Sequence, residues 1–132
     1  MHLTAVQIIL FVADQQRSRD FYSGLLELDP VTDVPGMTEF ALPGIRLGLM
    51  PESGIIKILK DAVPNPAEAS GVPRCELYLG CTDVDAAFHN ALKMGAVPVS
   101  PPQPRNWGDT AGYVACPDGH IIAFASKTNQ DG

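Results

Sequence analysis

Along the first strand-like stretch, Ile8, Leu10 and Val12 alternate with Gln7, Ile9 and Phe11, the period-two signature of a strand with two different faces. Asp14 ends the alternation. Phe21, Tyr22, Leu25 and Leu26 then follow at helical spacing and form one apolar stripe able to cover a sheet. The pattern recurs further along the chain. Gln7 and Asp14 are matched by Glu76 and Asp83, an offset of 69 residues in both cases, and an internal repeat of this kind points to one unit used twice. In the second copy Leu77, Leu79 and Cys81 alternate with Glu76, Tyr78 and Gly80. Ala87, Phe88, Ala91 and Leu92 supply the helical stripe, and Gly95 ends it.

Each predicted helix leads into strand-like material folded by a tight turn. MTEFALPGIRLGLM reads as a hairpin around Pro43-Gly44, and AGYVACPDGHIIAFA as a hairpin around Pro117-Asp118-Gly119. In both, proline presets the turn and glycine takes the left-handed position. Short extended pieces at PVTDV and AVPVS precede them. The repeating unit is therefore βαβββ, and the expected fold is α+β in a single domain, residues 1–132, with module one at about 3–60 and module two at about 74–128. The stretch PESGIIKILKDAVPNPAEASGVPR connects the copies and carries one short helix at GIIKILKD.

Composition narrows the functional classes. A chain of 132 residues that is 45% hydrophobic supports one core. A formal net charge of −6 and a pI near 4.8 argue against nucleic acid and anionic membrane as partners, because phosphate-binding surfaces cluster Lys and Arg. The longest apolar runs, such as VQIIL and HIIAFA, fall far short of the roughly 20 residues of a membrane helix, and no basic stretch precedes an apolar one at the N-terminus. A soluble, cytoplasmic protein is expected. Cys75, Cys81 and Cys116 are odd in number and lack metal-type spacing, so they are read as reduced thiols.

Three segments, FVADQQRSRDFYSGLL, ELYLGCTDVDAAFHNALKMGAVPV and NWGDTAGYVACPDGHIIAFAS, stand in the order and at the spacing of the vicinal oxygen chelate superfamily. That superfamily includes glyoxalase I, extradiol dioxygenases, and fosfomycin- and bleomycin-resistance proteins. Across nearly its whole length the chain resembles the small glyoxalase/bleomycin-resistance branch. The resemblance implies that the mixed sheets of the two βαβββ modules curl around an open cleft holding a divalent metal or a ligand, and that two chains associate as a homodimer. The family's metal ligands come from the first strand and a later strand of each module, and those places fall here on Gln7, Gly48, Glu76 and Ala123. Gln and Glu offer oxygen to a hard cation; Gly48 and Ala123 offer no side-chain donor. Moving the alignment by two residues reaches Arg46 or Met50 in one strand and Ile121 or Ala125 in the other, which supply neither oxygen nor imidazole. No cofactor is therefore expected.

Two readings stand for Gln7 and Glu76: polar groups facing a solvated groove, or groups that hydrogen-bond a ligand. Alternation adds Ile9, Phe11, Arg46, Met50 and Tyr78 to the inner faces, an apolar lining with a few polar points. Trp107, the only tryptophan, is either a buried anchor for its loop or an aromatic wall that stacks on ligand. His120 is read as a turn residue and Cys116 as a packed thiol with no base assigned to it. Asp14, Asp83 and Asp118 are read as local backbone partners. The leading expectation is metal-independent binding of a small organic molecule by Gln7, Phe11, Arg46, Met50, Glu76, Tyr78 and Trp107. The alternative is a glyoxalase-like lyase or dioxygenase whose metal is held by Gln7, Glu76 and substrate. A third reading is an interaction module that binds no small molecule.

Overall fold

The computed structural model describes residues 1–69, 71–73 and 75–128. The chain divides into two units, Met1–Ser70 and Gly71–Gly132, and each is a βαβββ module built on an open four-stranded mixed sheet. The expected start of module two at residue 74 lies outside the described residues.

In the first unit, β1 (Gln7–Val12) is followed by α1 (Gln15–Leu26), β2 (Thr32–Val34), β3 (Met37–Leu42) and β4 (Ile45–Pro51), then by α2 (Glu52–Leu59) at the place expected for the connector helix. The strand order is β1-β4-β3-β2, with β1 parallel to β4 and the remaining pairs antiparallel. Asp14 caps α1 by accepting the Arg17 N–H at 3.0 Å, a bond of the kind worth about 1 kcal/mol. The helix packs Ser18, Phe21 and Tyr22 against one sheet face, where Leu10, Val12, Phe40, Leu47 and Leu49 are buried. The buried hydroxyl of Thr38 is on this face too: it accepts from Gln15 Nε2 at 2.9 Å and donates to Asp33 Oδ1 at 3.0 Å. The Arg19 guanidinium and this Thr38 bond hold the Asp33 carboxyl below its usual range, so the β2–β3 turn is clipped to α1 by polar groups as well as by packing.

The second unit repeats the plan with β5 (Glu76–Gly80), α3 (Val84–Lys93), β6 (Val97–Pro104), β7 (Asp109–Ala115) and β8 (Ile121–Lys127) in the order β5-β8-β7-β6. Asp83 caps α3 through the Ala86 N–H at 3.0 Å, the counterpart of Asp14 at the repeat offset. Both caps act on local backbone, as the sequence predicts. Gly95 follows α3 at φ +105, a backbone geometry that costs glycine little and other residues more. The hairpin glycines Gly44 and Gly119 also have positive φ.

One element is longer than its sequence pattern. AVPVS predicts a short strand, yet β6 continues through Ser100, Pro101, Pro102 and Gln103 to Pro104. Its edge position makes this possible, because a strand with one neighbour needs only half of its backbone groups in the ladder. The register against β7 shifts twice, between Pro98 and Ser100 and between Ser100 and Gln103, which absorbs the missing proline N–H groups.

Gly112 lies where β7 passes under α3. A Cβ built there would stand 2.9 Å from Pro102 Cγ and 3.1 Å from Phe88 Cδ2, whereas at Gly80 it would meet nothing within 4 Å. Gly112→Ala should therefore destabilise the protein by about 1–3 kcal/mol through overpacking, while Gly80→Ala should stay within about 0.5 kcal/mol of the parent. Thermal denaturation of both variants measures the difference, and equal midpoints would show that the β6–β7–α3 contact yields freely.

Candidate functional site

Pleating gives each sheet a second face, turned away from α1 or α3, and Gln7, Ile9, Phe11, Arg46 and Met50 stand on this face of the first sheet and Glu76 and Tyr78 on that of the second. In the first unit the ladder sets Gln7 beside Arg46, Ile9 beside Gly48 and Phe11 beside Met50; Glu39 stands on the other side of Gly48. Gln7 Nε2 donates to Glu39 Oε2 at 2.5 Å. Arg46 Nη1 lies 3.6 Å from Glu39 Oε1. Glu39 is thus the hub of a small polar cluster, with a side chain only 16% exposed against 53% for Arg46. Sequence reasoning missed it. The alternation of MTEFAL puts Glu39 opposite Thr38 and Phe40, but only the β3–β4 register places it beside Gln7 and Arg46.

In the second unit Tyr78 pairs with Ala123, which pairs in turn with Tyr113, and Glu76 pairs with Ile121 on the same face. Trp107 sits in the turn from Arg105 to Gly108 that joins β6 to β7, closed by the Gly108 N–H donating to Arg105 O at 3.3 Å. The Trp107 indole N–H donates to the Tyr78 hydroxyl at 2.9 Å, and that hydroxyl donates to Asp109 Oδ2 at 2.5 Å. Trp107 is 51% exposed and Tyr78 45%. The buried-anchor reading of Trp107 is therefore corrected: the turn is held by backbone bonds, and the indole is attached by its polar edge with much of its surface in solvent. Arg105 is tied down beside this cluster. Its Nε and Nη2 donate to Ala111 O at 3.1 and 2.9 Å, Nη2 also reaches Ser100 Oγ and Pro101 O, and the guanidinium lies 5.2 Å from the Tyr113 ring centroid.

The four family ligand places can be tested for fit to a metal. Gln7 and Gly48 share one face of the first sheet, and Glu76 and Ala123 one face of the second, so each unit contributes a single side-chain donor. A Cβ at Gly48 would stand 2.7 Å from Gln7 Nε2 and 3.3 Å from Met37 Sδ, so a longer side chain there would have to push both flexible neighbours aside. Ala123 is fully buried. Among the described residues no group of three or more His, Cys, Asp or Glu side chains is placed to hold a cation. This donor set does not fit the family's metal.

A further pair was not foreseen. Cys116, assigned no base from the sequence, lies with its Sγ 3.4 Å from His120 Nδ1 and accepts the His120 backbone N–H at 3.3 Å. Across the β7–β8 turn the Cys116 N–H donates to His120 O at 2.9 Å and the Gly119 N–H to Cys116 O at 2.9 Å. The sulfur contact raises the His120 pKa against the opposing effect of burial. Cys116 is 3% exposed, so the pair belongs to the turn rather than to an open site.

The Asp109 carboxylate beside Tyr78 raises the phenol's pKa, the Trp107 bond partly opposing it, because an ionised phenol would lose its bond to a negative acceptor. Ultraviolet titration should find Tyr78 ionising above the ordinary tyrosine range. Asp109→Asn should bring it back down, since the neutral acceptor no longer repels the phenolate. An unchanged titration in that variant would mean that the Tyr78–Asp109 bond does not persist in solution.

Residues 4–124 match the model of the Glyoxalase/Bleomycin resistance protein/Dioxygenase superfamily. An uncharacterized protein of Mycobacterium bovis is 32% identical over 120 residues, covering 84% of this chain and 75% of that protein. Among solved structures, a glyoxalase-related enzyme from Fulvimarina pelagi superposes with a TM-score of 0.79 at 23% identity, covering 92% of this chain and 86% of that one. A glyoxalase/bleomycin resistance protein/dioxygenase family enzyme from Burkholderia phytofirmans superposes with a TM-score of 0.81 at 12% identity, covering 92% and 97%. At these identities the two structures speak for the fold alone, while the match over residues 4–124 speaks for descent: the chain belongs to the Glyoxalase/Bleomycin resistance protein/Dioxygenase superfamily.

Proposed function

We propose that the protein binds a small organic molecule, without a metal, on the sheet faces turned away from α1 and α3. The observation that carries this reading is the pair Tyr78 and Trp107: two aromatic side chains fixed by hydrogen bonds at their polar edges yet about half exposed. Orienting bulky rings and leaving them in water is the preparation of a contact surface, since rings with no ligand to meet are more favourably buried. Metal independence is supported by the donor set, in which Gly48 and Ala123 stand at two of the four family ligand places. The family's fold hosts lyases, dioxygenases and binding proteins alike, so the site and not the fold carries the argument. Three free thiols fit a reducing compartment, the cytoplasm.

A thermal-shift screen tests the reading, because a ligand that favours the folded state raises the melting midpoint. Small aromatic compounds should raise it; Zn, Ni, Mn and Fe should not, and protein dialysed without chelator should carry far less than one metal per chain. Near-stoichiometric metal that disappears in Glu76→Ala would overturn the proposal in favour of a lyase or dioxygenase with metal held by Gln7, Glu76 and substrate.

We also propose that two chains associate. Within their own sheets β1, β2, β5 and β6 are edge strands, and exposed edges are a liability that symmetric pairing removes. Sedimentation at micromolar concentration should report a dimer, and a clean monomer would set this aside.

A further inference from the structure

Tyr78 and Trp107 both have their polar ends engaged internally. The Trp107 N–H is spent on the Tyr78 hydroxyl and the Tyr78 proton on Asp109 Oδ2. A ligand that meets this cluster therefore finds no indole or phenol donor to bond. It finds ring faces, and a carboxylate that Tyr78 engages through one oxygen. Each bond also leaves its ring richer in electrons, because a phenol donating to a carboxylate, or an indole donating to an oxygen, carries more negative charge on its face. Electron-rich faces beside a carboxylate attract cations.

The same sheet already holds one cation in this manner, the Arg105 guanidinium 5.2 Å from the Tyr113 centroid, and Tyr113 stands across Ala123 from Tyr78. Arg105 is turned onto its own sheet by the bonds of its Nε and Nη2 to Ala111 O, Ser100 Oγ and Pro101 O. Glu76 adds a second carboxylate to this face, two residues before Tyr78 along β5. Two positive charges oppose this among the described residues: Lys127, which faces Asp109 in the ladder and is exposed, and Arg105 itself over Tyr113; Lys127 competes for the carboxylate, and both limit the affinity.

We propose that the Tyr78–Trp107–Asp109 cluster recognises an organic ammonium group, so that the small molecule bound by the second unit carries a positive charge on alkylated nitrogen. The inference rests on the small-molecule reading above and adds the chemical class of the ligand.

The test compares choline with 3,3-dimethylbutan-1-ol, which has the same shape and no charge. Each is titrated into the intact protein at constant ionic strength while the emission of Trp107, the only tryptophan, is followed. Choline should give a saturable change at a concentration at least tenfold below that needed for the alcohol. Asp109→Asn should abolish most of that preference. Tyr78→Phe, which keeps a ring and releases the carboxylate, should retain it; this second variant keeps the test valid if Asp109→Asn fails to fold. Equal binding of the two compounds overturns the ammonium inference and leaves the small-molecule reading standing. So does silence towards both when neutral aromatic compounds still raise the melting midpoint. If nothing in either experiment binds, both proposals fall together.

Discussion

A four-stranded sheet has two faces, and in each module one long helix covers one of them. Apolar residues collect where α1 or α3 lies: Leu10, Phe40, Leu47 and Leu49 in the first unit, Val114, Ile122 and Phe124 in the second. The period of two then sends every intervening side chain to the other face. There polar groups find their partners across strands: Gln7 and Arg46 meet on Glu39 in one unit, and Tyr78 meets Trp107 and Asp109 in the other. The site chemistry follows from the packing, because the face that the helix leaves uncovered has room for exposed aromatic rings and half-buried charge.

The two modules use one scaffold for different chemistry. Gln7 and Glu76 begin equivalent strands, and Ile9 beside Gly48 corresponds to Tyr78 beside Ala123. Around these positions the first unit builds a carboxylate held by an amide and a guanidinium, whereas the second builds aromatic walls flanking a row of buried alanines, Ala111, Ala123 and Ala125. Small residues at the centre of both faces let neighbouring side chains lean inward, as Gln7 does over Gly48.

Much of the scaffold was legible from the chain alone. Alternation in QIILFV and ELYLG, the capping aspartates and the Pro-Gly and Pro-Asp-Gly turns are local signals, and each acts locally in the structure. The far half of β6 was not, because SPPQP reads as a breaker and only an edge position rescues it. Of the candidate residues, Gln7, Phe11, Arg46 and Met50 share one face and Glu76 and Tyr78 another, as strand alternation implied. Glu39 and Asp109 escaped notice because their importance depends on which strand lies beside them, and a period of two carries no such information. The Cys116–His120 contact could have been found: four residues apart around a hairpin turn, they face one another once the turn at Pro117-Asp118-Gly119 is accepted.

The small residues at the family's ligand places are also part of the packing, which bears on what those places can become. Adding a Cβ at position 48 puts it 2.7 Å from the Gln7 amide nitrogen, so the end of the Gln7 side chain must shift, which strains its bond to Glu39. Leaving a carboxylate that is mostly buried without its amide partner costs more than an exposed bond would, on the order of 1–3 kcal/mol. At position 123 the obstacle is steric, since Ala123 lies between Tyr78 and Tyr113 in the ladder and is fully buried. A longer donor side chain there has no free space and must be accommodated by movement of its neighbours. Restoring a metal donor in either module therefore requires the side chains around it to move, Gln7 and its bond to Glu39 in the first unit and the packing around buried Ala123 in the second.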